Sequence, residues 1–135
     1  MLPASTKGDG TCFSFPDVCK TPAPPAPPVP IPYPNTGMLS QAEKTVDKVE
    51  ICGKPVVTVN SELSRSSGDE AGTLKGMVSQ TNMDKVSFKT GSATVFASGQ
   101  KIVHLGATTG HNGSNANMPA GAQVAPSQTK VLVGP

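Results

Sequence analysis

The sequence predicts an all-β fold of short hairpins, with a proline-rich strap and long ordered loops, and three observations carry that expectation. Fourteen glycines and fourteen prolines fill about a fifth of the 135 residues, too many turn-formers for long helices. β-Branched, alternating segments recur around residues 46–59 and 85–105. Residues 22–34, PAPPAPPVPIPYP, contain eight prolines, each fixing its own φ and removing a backbone donor, so no helix or interior strand is expected to run through them.

The residues between those prolines, Ala23, Ala26, Val29, Ile31 and Tyr33, are apolar, whereas solvated linkers are diluted with Ser, Glu or Lys. The strap therefore reads as a stiff, extended segment laid against the body. An exposed linker or an SH3-type docking ligand is the competing reading, and it needs Ile31 and Tyr33 free.

The elements follow in order. Residues 1–11 are small and polar and read as irregular. Residues 12–19 place Phe13 and Phe15 opposite Ser14, a short strand stopped by Pro16. After the turn at Asn35-Thr36-Gly37, residues 38–47 hold the one expected helix, about two turns capped by Ser40 with Glu43 as its partner. Residues 46–59 form a hairpin that reverses at Cys52-Gly53-Lys54-Pro55 and returns through Val56-Val57-Thr58-Val59. Residues 60–76 have no apolar period and read as an exposed loop, with Asp69 and Glu70 as a solvated pair. A second strand pair spans residues 85–105.

Shifted by 46 residues, Val49 falls on Val95, Gly53 on Gly99 and Val57 on Val103, while Thr58 falls on His104. A glycine registered at the same point of two β-reversals indicates an internal repeat and a pseudo-symmetric body. Residues 106–128 lack any period, and a loop of this length is expected to be ordered by a metal or a partner. Residues 131–133 supply a last short strand. The whole, residues 1–135, is expected to be one domain.

Composition narrows the function. With 36% hydrophobic residues and no Trp, the core must be thin. Eleven basic against nine acidic residues give a net charge of +2, too weak for a nucleic-acid groove or an acidic membrane surface. The start MLPASTKGDG has neither the basic nor the apolar region of a secretory signal, and no stretch approaches the ~20 apolar residues of a membrane span. A soluble cytoplasmic chain is expected, and any export would use a route that needs no cleaved signal. Three cysteines, an odd count, disfavour a disulfide framework.

Cys12 and Cys19 are seven apart, as are His104 and His111. Together they make a Cys₂His₂ set suited to one structural Zn²⁺, which would add folding energy to a core-poor chain. Buried cysteines and surface histidines are the plainer reading of the same residues. Cys52, at a hairpin tip, ranks behind these four as a ligand. No nucleophile elbow or phosphate-cradling loop is present, so no enzyme is expected.

The runs Phe15-Pro16-Asp17-Val18-Cys19-Lys20-Thr21-Pro22, Val29-Pro30-Ile31-Pro32-Tyr33-Pro34-Asn35, Gly53-Lys54-Pro55-Val56-Val57 and Thr108-Thr109-Gly110-His111-Asn112 resemble the PAAR-like family, relatives of the Pro-Ala-Ala-Arg repeat proteins. These are spike-tip proteins of contractile injection machines, chiefly the bacterial type VI secretion system. The resemblance runs from about residue 13 to residue 112. It implies a small cone whose flat base docks on the blunt end of the trimeric VgrG spike, with an apex pinned by zinc. The zinc ligands it implies fall on Cys19, His104 and His111, with Cys12 taken as the fourth and Cys52 as the alternative.

Two departures stand out: Lys101-Ile102-Val103 lies where a proline is expected, and only two histidines exist where relatives commonly use three. The implied role is a structural tip that caps VgrG, sharpens it for membrane puncture and attaches effectors or adaptors, exported by the apparatus itself, with no nucleic acid bound. The alternative is a stand-alone secreted zinc-dependent effector or hydrolase. Because no toxin segment precedes Pro135, a fused effector activity is expected to be absent.

Overall fold

The stretch expected to be a short strand followed by an unpaired strap is one long antiparallel ribbon. In the computed structural model, which describes residues 2–113 and 115–134, β2 (Thr11–Ala23) pairs with β3 (Ala26–Met38) from Thr11↔Met38 to Ala23↔Ala26. Pro27 falls in the register shift between Val29 and Ala26, but the prolines from there on stand at the even positions 28, 30, 32 and 34, so these missing donors lie on one side of β3. That side is the edge of a sheet, where proline is tolerated. On the same side, Thr36 exchanges backbone hydrogen bonds with Ser67 at 2.7 and 2.9 Å.

The fold is all-β, as expected, with antiparallel pairing throughout the described sheets. β4 (Ala42–Glu43), β7 (Glu62–Leu63), β8 (Val86–Phe88), β11 (Thr108–His111) and β12 (Met118–Ala125) complete a seven-stranded sheet ordered β3-β2-β12-β11-β8-β7-β4. The helix expected over 38–47 is only a single 3₁₀ turn, Leu39–Gln41, and no side chain caps it. Leu39 and Ala42 are both fully buried, so the chain turns them into the core and moves straight on into β4.

A register shift between Ser14 and Asp17 marks a bulge in β2. One extra residue reverses the inward parity, so buried Cys12 and Ser14 are followed by buried Asp17 and Cys19.

Beneath the sheet lies the repeat. β5 (Val46–Ile51) and β6 (Lys54–Val56) form one hairpin, and β9 (Phe96–Ala97) with β10 (Gln100–Lys101) another. Each turns through two left-handed residues, Cys52 and Gly53 at φ 55° and 78°, Ser98 and Gly99 at 50° and 79°. Such a pair matches the twist of a two-residue hairpin. The third member is split: β1 (Leu2–Pro3) pairs with β13 (Leu132–Val133).

These three pairs meet in a closed triangle of backbone hydrogen bonds. Ser5 N donates to Val103 O at 2.8 Å, Val103 N to Val57 O at 3.0 Å, and Val57 N to Ser5 O at 3.0 Å. Bridges Thr6↔Val56, Thr58↔Ile102 and Ala4↔His104 repeat the relation, each joining the residue after one corner to the residue before the next. The next step out repeats it too: Lys7 N to Pro55 O, Val59 N to Lys101 O, Leu105 N to Pro3 O. The body therefore has a pseudo-threefold axis.

Two small clusters flank that triangle. Val57 and Val103 pack with Cys12, Leu39, Leu63, Val86 and Phe88, while Ala4, Val56 and Ile102 pack with Ile51, Ala97 and Val133, one buried residue from each outer strand. Among the described residues no helix is long and apolar enough to cross a membrane.

Candidate functional site

Asp17 and Cys19, two apart on β2, face the same side of the ribbon. The third group comes from the loop between β7 and β8, which was expected to be exposed. Instead it wraps the ribbon: Leu74 N donates to Lys20 O at 3.1 Å, Lys20 N to Lys75 O at 2.9 Å and Met77 N to Val18 O at 3.0 Å. Gly68, at φ +120°, lies so close to β3 that a Cβ would strike the Pro34 carbonyl, and a Cβ on Gly72 would strike that of Cys19. Only glycine allows this approach. The wrap buries Asp69 completely, correcting the expected solvated pair, while Glu70 stays exposed.

Asp17, Cys19 and Asp69 offer donor atoms all within 4.8 Å of one another, and all three residues are fully buried. Cys19 Sγ lies 3.7 Å from Asp17 Oδ1 and 3.8 Å from Asp69 Oδ2. Three asparagine amides face Asp17: Asn35 Nδ2 donates to Oδ2 at 3.1 Å, Asn112 Nδ2 to Oδ1 at 3.3 Å, and Asn117 Nδ2 also to Oδ1. Two of these amides are locked in orientation. Asn117 Oδ1 accepts from Val78 N and Ser79 N at 2.8 and 3.2 Å, and Asn112 Oδ1 from Asp84 N at 3.1 Å. Asp69 is less well served: Met83 N reaches Oδ2 at 3.4 Å, and Oδ1 has no partner among the described residues.

The polar chain continues through the sheet. Asn35 turns its Nδ2 to Asp17, so its Oδ1 accepts from His111 Nδ1 at 2.7 Å, and His111 Nε2 accepts from Thr109 Oγ1 at 2.8 Å. This order fixes a neutral imidazole with its proton on Nδ1.

Burial pushes His111 down to about 4 against the opposing pull of Asp17. Cys19 is pushed up to about 12, first by burial and then by the Asp17 and Asp69 charges. Asp69 rises to about 7, mainly through burial, with the Asp17 carboxyl adding to it and the Met83 N–H opposing it. The ion pairs among the described residues, Lys44–Glu62 and Lys85–Glu62, lie elsewhere, so protons or a cation must balance this buried negative group.

Of the four expected ligands, Cys19 alone belongs to the group. Cys12 sits in the core against Leu39 and Val57, and burial holds its thiol near 12. Seven residues of strand span roughly 20 Å, so Cys12 and Cys19 cannot share one ion. His104 follows the Val103 corner of the triangle, bridged to Ala4, with its Nδ1 2.8 Å from Leu105 O. His111 reaches the group only through Asn35. Cys52 is exposed in its hairpin turn. Asp17, Asp69, Asn112 and Asn117 had no part in the expected set, although Asp17 and Asn112 stood inside the quoted motifs.

A chemical fit to zinc is present but partial. One thiol and two carboxylates suit a divalent cation, and the Asp69 oxygen left without a partner would gain one. The locked amides of Asn112 and Asn117 point N–H groups at the same place, which an ion would have to leave on Asp17.

Residues 10–119 match the family described as "Toxin PAAR-like domain", a range that includes every residue of the cluster. The chain is also similar to the DNase toxin Tse7 of Pseudomonas aeruginosa, 42% identical over 120 residues that cover 84% of this chain and 30% of that protein. It thus spans less than a third of that relative's length. No solved structure matches.

The expectation that no enzyme is involved is corrected by this relative, which is a DNase toxin. That expectation rested on finding neither a nucleophile elbow nor a phosphate-cradling loop in the sequence.

Proposed function

Because the chain belongs to the toxin PAAR-like domain family, we propose that it is a spike-tip module of a type VI secretion apparatus, seated on the end of the trimeric VgrG spike and delivered with an effector. The observation that carries this reading is the closed triangle through Ser5, Val57 and Val103. One chain on the axis of a trimer calls for three near-equivalent segments, and the repeated backbone relation about this triangle supports such a seat. The similarity to a DNase toxin supports the effector part of the reading. Export then needs no signal peptide, because the apparatus carries the tip.

The test is stoichiometry. Mixed with its trimeric VgrG, the chain should form a complex of one copy per trimer by light scattering. Failure to bind, or three copies per trimer, would refute the axial seat.

We also propose that Asp17, Cys19 and Asp69 hold one zinc ion that ties the wrapping loop to the ribbon. Full burial of all three supports a structural ion over a catalytic one, since no substrate reaches them. Zinc binding at pH 7 should release about one and a half protons per ion, one from Cys19 and about half of one from Asp69, whose carboxyl titrates near 7. Calorimetry in buffers of different ionisation enthalpy measures this. Cys19→Ser and Asp69→Asn should lose the ion, and His104→Gln should keep it; retention in both of the first two would sink the assignment.

A further inference from the structure

The β2–β3 arm has two unlike faces. One carries Cys19, Ile31 and Tyr33 and is covered by the wrapping loop, with Gly72 against Cys19 and the Tyr33 ring. Tyr33 Oη also bonds Thr21 Oγ1 at 2.6 Å. The other face is paved with rings: Pro28, Pro30 and Pro32 on β3, beside Lys20 and Pro22 on β2, all exposed. The spike-tip reading makes no use of this face.

Its edge is chemically one-sided. Thr36 points its N–H and C=O outward to Ser67, and pairing on β3 is unbroken from Thr36 back to Asn35 and from Tyr33 to Val29, so residues 34, 32, 30 and 28 point outward as well. All four are prolines. The Pro34 carbonyl is covered by Gly68, which leaves those of Pro32, Pro30 and Pro28 as acceptors with no N–H among them. A strand added here would find no donors, so half of its ladder would be missing. Aromatic side chains that carry a donor suit it better: a Trp or Tyr ring stacks on proline while its N–H or O–H reaches a carbonyl.

We infer that the proline-paved face of the arm is a second docking surface, for a protein that presents Trp or Tyr side chains rather than a β-strand. The occupant is set by complementarity, since an acceptor-only edge beside proline rings calls for donors carried on aromatic rings. The surface is independent of the axial seat, so the two readings stand or fall separately.

The test uses the full chain, isotope-labelled, titrated with N-acetyl-tryptophanamide and, separately, with an alternating Thr-Val peptide. Expected are upfield ring-current shifts of the Pro28, Pro30 and Pro32 δ-protons with the indole, and none with the peptide. In the wild type the indole should also shift the Lys20 and Pro22 signals of the same face, and the variant Pro28→Ser/Pro30→Ser/Pro32→Ser should lose those shifts while its β11 and β12 amides stay where they are in the wild type. Should that variant fail to fold, Pro30→Ala alone should weaken the shifts at Pro28 and Pro32. Indole shifts confined to the exposed Phe13, Phe15 and Val124, no shifts at all, or strand pairing of the peptide along β3 would each overturn the inference.

Discussion

Asp17→Ala is expected to lower the unfolding free energy by about 3–5 kcal/mol, read from urea melts of chelator-treated protein. The carboxylate accepts from Asn35, Asn112 and Asn117, and its loss strands three buried amide donors. Two of those amides cannot turn away, because Val78, Ser79 and Asp84 N–H groups hold their oxygens. The damage spreads through Asn35 to His111 and through Asn117 to the wrapping loop. Domains of this size are stable by on the order of 5–15 kcal/mol, so the variant should sit near the edge of folding. Asp17→Asn should fall between, since one oxygen still accepts. A loss under about 1 kcal/mol for Asp17→Ala would mean that the network carries little of the stability.

The repeat shows where the sequence was readable and where it was not. Two of the three hairpins are contiguous and carry the same left-handed turn, so a shift of 46 residues aligns Gly53 with Gly99 and Val57 with Val103. The third is assembled from residues 2–7 and 131–134, which no shift of a linear sequence can align. The N-terminal residues therefore read as irregular, although Ser5 is a corner of the triangle.

Strands built from small residues were lost for a different reason. β11 and β12 run through residues expected to be loop, because Gly110 packs against Lys89 and Ala116, and Gly121 against the His111 ring, where a β-branched side chain has no space. Propensity measures how a side chain fits a half-buried pleat, and it fails where another chain occupies that volume. The strap misled in the opposite direction. Its prolines were expected to exclude an interior strand: β3 is an edge strand, marked by the even spacing from Pro28 to Pro34, while Pro22 lies in β2 beyond the stretch that pairs with β12.

The candidate site was half legible. Cys19, expected as a ligand, does stand in the buried Asp17–Cys19–Asp69 group, and the proline strap beside it was expected to be structural. Cys12 was taken as the fourth ligand because it is the other soft donor of the N-terminal segment, but it lies with Cys19 on one continuous strand that holds the two apart. Asp69 was hidden because its burial depends on Gly68 and Gly72 pressing against β3 and β2, a tertiary fact with no local signal.

In metal-free protein, stability should be nearly flat from about pH 4 to 6.5, because two buried groups pull against each other. Asp69 has its folded pKa raised from 3.8 to about 7, so its contribution is full below the unfolded value and is lost as pH rises toward 7. His111 has its folded pKa lowered from 6.5 to about 4, so its contribution is full above 6.5 and is lost as pH falls toward 4. Removing one group should expose the other. Asp69→Asn should gain stability with rising pH across that window, by up to about 1.4 kcal/mol per unit. His111→Gln, which keeps an amide between Asn35 and Thr109, should lose stability as pH rises from 4 to 7. Saturating zinc should reverse the wild-type trend at the alkaline end, since the ion competes with protons for Cys19 and Asp69 and binds more tightly as they leave. An Asp69→Asn protein that stays flat would show that His111 is not held neutral, and the Thr109–His111–Asn35–Asp17 chain would then need a charged imidazole at its centre.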